Sequence, residues 1–306
     1  MEYNQQFNIS NNKISANNID MNIICDNWNI NIFENLQYEN DIYYSYDAKD
    51  GRESVGRFAK GVSYTYSFNN NNKAYLQFTL TNEKKYTEIL FDNEIQRQKD
   101  LIEKCGLKDE IAKVLVRATD QFICKRESTD SLTIIAGYPF FADWGRDTMY
   151  ALEGCCITTK RYEDAKNIFR TFIKYLKNGI MPNLFPEGEN EPLYNTVDAS
   201  LLFIQSVYSY YKATKDLDFI KEAYEPMVSV LENYIQGTEY DIKMDTDYLI
   251  KAGSGFNQLT WMDVRYEEEL PTPRHGKPVE INAFWYSSLK IINEFGKLLN
   301  KDTKKY

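Results

Sequence analysis

The chain contains one histidine, His275, in 306 residues. That shortage works against a histidine-ligated metal centre, and no loop carries the spaced acids of an EF-hand. A Ser–His–acid triad would have to use His275, and no GxSxG turn accompanies it. Glycine is sparse, and no GxxxxGK[ST] cradle for phosphate occurs. Basic charge is in deficit: 36 Lys and Arg stand against 45 Asp and Glu, a net charge of −9. Such a balance argues against a nucleic-acid partner. No apolar run approaches the roughly 20 residues of a membrane span. The N-terminus, MEYNQQFNISNNKISANNID, lacks the basic, apolar and small-residue order of a signal peptide. The cysteines (Cys25, Cys105, Cys124, Cys155 and Cys156) are odd in number and form no CxxC pattern. Free thiols in a cytoplasmic protein are the economical reading. No metal and no cofactor is implied.

Aromatic residues are plentiful at 15%, with 24 tyrosines. Most suit a packed core and a tyrosine-rich surface, and the remainder could line a sugar site. Two compositions follow one another along the chain. Residues 1–91 are rich in Asn, Ile and Tyr. There, VSYTYSF (62–68) and AYLQFTLT (74–81) alternate with period two around an NNNN turn (69–72), which predicts a hairpin. IDMNIICDNWNINIF (19–33) alternates similarly, so this region reads as an antiparallel β unit, part of a sandwich.

From residue 92 to 306 helical periods take over. Ile111, Leu115, Ala118 and Phe122 share a stripe over 109–125. Further helices are expected at 147–157, 161–177, 197–213, 216–235 and 280–299. Asp147 and Asp216 sit where N-caps would, and Pro226 predicts a kink or split in the fifth pattern. Long connections (126–146, 178–196, 236–279) alternate with tight ones. Long loops are usually functional. Regular alternation implies helical hairpins with every long loop on one face. No fixed-period repeat marks a solenoid, which favours an α/α toroid.

If the long loops share a face, their polar residues converge. The first carries DWGRD (143–147), with Asp143, Trp144, Arg146 and Asp147. The second carries Asn183, Glu187, Glu189, Tyr194, Asn195 and Asp198. The third carries Trp261, Asp263, Arg265, Arg274, Lys277 and Glu280. Sugars offer apolar C–H faces that stack on rings and hydroxyl rims that need donors and acceptors. Acetal hydrolysis needs two carboxyl groups flanking the bond. The loop chemistry therefore suits a glycoside hydrolase. Plainer readings exist for several residues. Arg146 and Asp147 could be a helix-start ion pair, Asp198 a dipole partner, Glu267 to Glu269 a solvated face, and His275 a surface residue. Asp263 follows Leu259, Trp261 and Met262, which predicts an apolar setting that would raise its pKa.

Four linked motifs carry a family resemblance: GYPFFADWGRDTM (137–149), IMPNLFPEGENEPLYNTVDASLLFI (180–204), QLTWMD (258–263) and TPRHGKPVEINAFWY (272–286). Their order and spacing over roughly 130–300 resemble the C-terminal domain of the glycogen debranching enzymes, the amylo-α-1,6-glucosidases. Residues 22–92 resemble more loosely the β-sandwich that precedes the barrel in bacterial and archaeal members. The resemblance implies an (α/α)6 barrel and inverting hydrolysis of the α-1,6-linked glucose at a trimmed branch. It implies Asp263 as general acid. Arg146 and Asp147 match the WxRD element that grips the terminal glucose in related enzymes, with Trp144 walling that subsite. Asn195, Asp198, Trp261 and Glu280 match positions that surround the sugars. The implied partner is an α-glucan: glycogen, limit dextrin or maltooligosaccharide. Two other readings stand beside it, a glucoamylase-like exo-α-1,4-glucosidase and a non-catalytic α-glucan-binding module. TWMD and GKPVEIN count against the first.

The same resemblance implies twelve helices, of which six are legible here. Its general base, a glutamate in the second half of the barrel, matches no residue of this chain. The expectation is therefore an incomplete toroid, the first half of a barrel preceded by part of a sandwich. Such a chain would turn over poorly by itself and self-associate through helix faces meant for neighbours.

Overall fold

A computed structural model describes residues 8–10, 12–16, 19–25, 27–49, 51–68, 73–81, 83, 87–138, 141–186 and 191–306. The expected turn at 69–72, Phe140, Glu187 and Glu189 lie outside the described residues. The chain divides into two compact units, Met1–Arg97 and Gln98–Tyr306.

In the N-terminal unit every strand pairing is antiparallel. The strands are β1 (Asn8–Ser10), β2 (Lys13–Ala16), β3 (Ile19–Cys25), β4 (Asn29–Tyr43), β5 (Val55–Thr65) and β6 (Leu76–Thr79); a short helix, α1 (Ser45–Lys49), follows β4. One sheet has the order β1-β2-β3-β6, and β4 pairs with β5 in a separate ribbon. This corrects the expected hairpin between 62–68 and 74–81. Those segments form β5 and β6, but β5 pairs with β4 and β6 with β3, in the register Ile23↔Phe78. Period-two alternation marks a strand and its two faces, and it holds no information about which strand lies alongside.

Helix α2 (Thr87–Cys105) runs across the division between the units, and α3 (Glu110–Asp120) follows it. Asp109 caps α3 by accepting from the Ala112 amide at 3.0 Å. The stripe of Ile111 and Leu115 does not face inward: these residues are 71% and 58% exposed, while Val116 is buried. Ala112, Val116 and Thr119 make an alternative inward stripe with smaller side chains. Phe122 lies beyond the helix, in the turn into β7 (Ile123–Arg126). With β8 (Ser131–Ile134), β7 makes a hairpin that takes up the end of the expected helix (109–125) and the start of the expected connection (126–146), turning through Asp130 at φ 48°.

The remaining helices are α4 (Gly145–Leu152), α5 (Tyr162–Lys174), α6 (Ala199–Thr214), α7 (Leu217–Gln236) and α8 (Val279–Leu298). Asp216 caps α7 by accepting from the Phe219 amide at 3.0 Å. Of the kink or split expected at Pro226, the split does not occur: α7 is one helix through it. Core packing offsets the lost backbone donor: Ala223, Met227, Val230, Leu231 and Tyr234 are all fully buried. Helix α6 packs against α4 and α8, and also against α5 and α7. It is apolar nearly all round because it is enclosed on several sides. Phe169 of α5 stacks on Phe219 at 5.7 Å and meets Phe203 and Tyr210 edge-on. A two-stranded ribbon, β9 (Lys243–Met244) with β10 (Ile250–Lys251), lies in the connection from α7 to α8. Among the described residues no helix is long and apolar enough to cross a membrane.

Candidate active site

Three connections are stitched together at the start of α4 and α6. The Gly145 amide donates to the Asn183 carbonyl at 2.7 Å, joining the first connection to the second. The Val197 amide donates to the Leu259 carbonyl at 3.0 Å, joining the second to the third. Tyr234 of α7 donates its hydroxyl to the Val197 carbonyl at 2.9 Å.

Gly145 is required by this stitching. A Cβ there would lie 2.0 Å from the Pro182 carbonyl oxygen, a backbone atom that cannot swing away. Gly145→Ala is therefore expected to cost about 1–3 kcal/mol by overpacking, read as a lower urea midpoint at unchanged m-value.

Within DWGRD the charged residues divide their tasks. Asp143 is buried and accepts from Arg126 Nε at 2.9 Å, from Arg126 Nη2, and from Thr133 Oγ1 at 2.7 Å. It anchors β7 and β8 to the entrance of α4. Trp144 is the N-cap residue, in extended conformation and without a side-chain cap bond. The expected N-cap at Asp147 is corrected, because α4 begins at Gly145 and places Asp147 within its first turn.

Arg146 is the hub of the cluster. Its Nε donates to Asp198 Oδ2 at 2.7 Å and its Nη1 to Asp263 Oδ2 at 3.1 Å. Thr196 Oγ1 donates to Asp198 Oδ1 at 2.7 Å, so both oxygens of that carboxylate are engaged. The side chains of Arg146 and Asp198 are 10% and 4% exposed. Burial works against the Arg146 charge, yet Asp198 and Asp263 outweigh it and raise its pKa above the ordinary arginine value. Asp198 occupies the N-cap position of α6, but its side chain serves Arg146 and Thr196 instead of the helix end. The ion pair between Arg146 and Asp147 does not form; the guanidinium turns to the other two loops.

The apolar setting expected for Asp263 is also corrected. Its side chain is 38% exposed and ion-paired with Arg146. Leu259 is buried while Trp261 and Asp263 are exposed, so the apolar neighbours in sequence are not its surroundings in space.

Asp147 lies at the exposed rim. Desolvation raises its pKa against the pull of Arg146, and the carboxylates Asp263 and Asp198 add to the rise. A folded-state pKa above the unfolded value means that the folded chain binds the proton more tightly. Ionising Asp147 therefore costs stability as pH rises through the carboxylate range. Asp147→Asn should melt above wild type at neutral pH and match it below about pH 3.

Glu280, in the first turn of α8, accepts from Arg274 Nη2 at 2.6 Å. Asn195 is exposed beside the buried Asn183, whose Nδ2 lies 3.5 Å from the Asn195 side-chain oxygen. Trp261 is 53% exposed. Sequence reasoning does not single out Tyr150, whose pKa is raised by burial and then by Asp198, with Glu280 adding to it. A signal for it exists: it stands one turn after Arg146 on the same helix face. Thr196 has no such signal, since its value lies in the bond to Asp198. Arg274 is visible as a loop cation, but its bond to Glu280 emerges only from the fold.

Among the described residues, five buried side-chain polar atoms have no hydrogen-bond partner. One, Gln77 Oε1, is in the N-terminal unit. The other four, Arg146 Nη2, Asn183 Oδ1, Thr260 Oγ1 and Glu280 Oε1, belong to the loops of this cluster or the first turns of α4 and α8. Buried polar atoms are ordinarily satisfied, and a concentration of donors and acceptors in one place suits a ligand rich in hydroxyls.

A sequence model of the family described as amylo-alpha-1,6-glucosidase matches residues 117–306. The glycogen debranching enzyme of Saccharomyces cerevisiae (strain ATCC 204508 / S288c) is 28% identical over 252 residues. That match covers 61% of this chain and 16% of the yeast protein.

Proposed function

Because the chain belongs to the amylo-α-1,6-glucosidase family, we propose that its loop cluster is a glucose-holding site of glycogen debranching, a glycosidase site for α-1,6-linked glucose at branch points. The observation that carries this reading is the set of partnerless buried atoms on these loops and helix starts, Arg146 Nη2 among them. A sugar hydroxyl both donates and accepts, so a glucose ring can satisfy a guanidinium N–H and a neighbouring amide or hydroxyl oxygen together.

In this reading Arg146 Nη2 and Asp147 hold the end of the glucan, and the Trp144 ring walls the sugar's apolar face. Asn195 and Asp198 orient the ring, Asp198 acting through Arg146. Asp263 is the general acid that protonates the leaving oxygen. Its Oδ2 is bonded to Arg146, so the proton is carried on Oδ1 or the bond is released when sugar displaces it. Trp261 and Glu280 line the side that receives the leaving chain. An inverting reaction places water between Asp263 and a second carboxylate roughly 6.5–9.5 Å away.

The helix contacts support a toroidal arrangement. Helix α6 contacts both α4 and α8, and α5 contacts α7, a pairing of alternate helices that suits an inner and an outer layer. The N-terminal sheet and ribbon are, in the same reading, part of a β-sandwich that precedes the barrel.

Incubation with a limit dextrin trimmed to single α-1,6-linked glucose stubs and with a linear maltooligosaccharide tests the proposal. Slow release of glucose from the limit dextrin is the expected result, since no residue of this chain is assigned as the base. Glucose from the linear substrate alone would point to an exo-α-1,4-glucosidase, and binding without release to a glucan-binding module.

A further inference from the structure

We propose that Arg274 is a specificity-determining positioning residue, which locks Trp261 and Glu280 into one platform for a second glucose ring. The inference rests on the glucan reading above and narrows its substrate to chains of at least two rings. The Arg274 guanidinium has three contacts. Its Nη2 donates to Glu280 Oε2 at 2.6 Å, and its carbon lies 5.9 Å from the centroid of the Trp261 ring. Its Nη1 lies 3.8 Å from Met262 Sδ. Glu280 stands on α8, whereas Trp261 stands on the preceding loop. A planar fork that bonds a carboxylate while lying over an indole ties that loop to the helix, which a lysine ammonium does less well.

Each half of the platform offers a contact to sugar. Trp261 remains 53% exposed, so much of its ring is open for stacking. Glu280 Oε1 is buried and accepts no bond, which leaves it to receive a hydroxyl. Glu280 and Asp198 both act electrostatically on Tyr150, one helical turn after Arg146, which brings the platform up to the cluster that holds the carboxyl assigned to proton transfer. A ring seated there is the one that departs, and the ring beside Arg146 is the one released. Free glucose would fill the place beside Arg146 without touching the platform that Arg274 holds.

Calorimetric titration of wild type, Arg274→Met and Arg274→Lys with limit dextrin and with glucose tests this, alongside tryptophan emission. In Arg274→Met, dextrin affinity is expected to fall about tenfold or more while glucose affinity stays within about twofold of wild type. The dextrin-induced change in tryptophan emission should shrink with it. Arg274→Lys keeps a positive charge against Glu280 and should lose dextrin affinity to a smaller degree. If Arg274→Met does not fold, as judged by circular dichroism, the lysine variant decides by the same dextrin-to-glucose comparison. Dextrin binding that matches wild type in both variants, or equal losses for dextrin and glucose in a folded variant, would overturn the role of Arg274 alone. A wild-type protein that binds no dextrin would overturn the glucan reading as well.

Discussion

Arg146→Met is expected to destabilise the C-terminal unit by about 3–5 kcal/mol, the cost of stripping one partner from a buried ion pair. Methionine fills much of the same volume, so the loss is electrostatic and not a packing defect. Asp198 would keep only Thr196 on Oδ1, and its 4%-exposed carboxylate would be left without a cation. The damage would extend beyond one pair. Arg146 links α4, the start of α6 and the third connection, through partners 52 and 117 residues away. Urea unfolding measures the change directly, and the variant's glucan affinity should fall with it. A double variant, Arg146→Met with Asp198→Asn, should recover part of the loss because it removes the stranded charge. Stability unchanged in the single variant would mean that the cluster is not a structural hub.

How much of this is legible in the sequence differs between elements. Helices α5 to α8 are, because long apolar periods and the Asp216 cap act locally. The pairing of β5 and β6 is not, since alternation fixes a strand's faces and leaves its partner open. On α3, two apolar stripes compete, and the one with smaller side chains faces inward. The site residues themselves can be named from their loops, but their bonding cannot. The Arg146 guanidinium goes to Asp198 and Asp263 instead of to its neighbour Asp147, and only the folded chain brings those loops together. The setting of Asp263 is hidden for the same reason: Leu259 and Trp261 are near it in sequence, while the group that bonds it comes from the first connection.

Asp263→Asn carries the second large effect. An amide has the shape of the carboxyl but cannot deliver its proton, so glucose release from limit dextrin is expected to drop about 10²–10⁴-fold. Binding should survive, because the amide oxygen of the substituted side chain can still accept from Arg146 and the remaining sugar contacts are untouched. The loss should appear in kcat, with little change in dextrin affinity, the pattern of an interaction made only in the transition state. Near-wild-type glucose release from this variant would remove Asp263 from the role of acid.

In the proposed site a terminal α-1,6-linked glucose is held by Arg146 Nη2, with its glycosidic oxygen at Asp263. A crystal structure of the protein with panose, a trisaccharide ending in an α-1,6-linked glucose, tests it most directly. The predicted complex has a hydroxyl of the terminal ring on Arg146 Nη2, the Trp261 ring against the adjoining sugar, and an Asp263 oxygen within about 2.6–3.2 Å of the glycosidic oxygen. A trisaccharide bound away from Arg146, or one whose glycosidic oxygen is out of reach of Asp263, would contradict it.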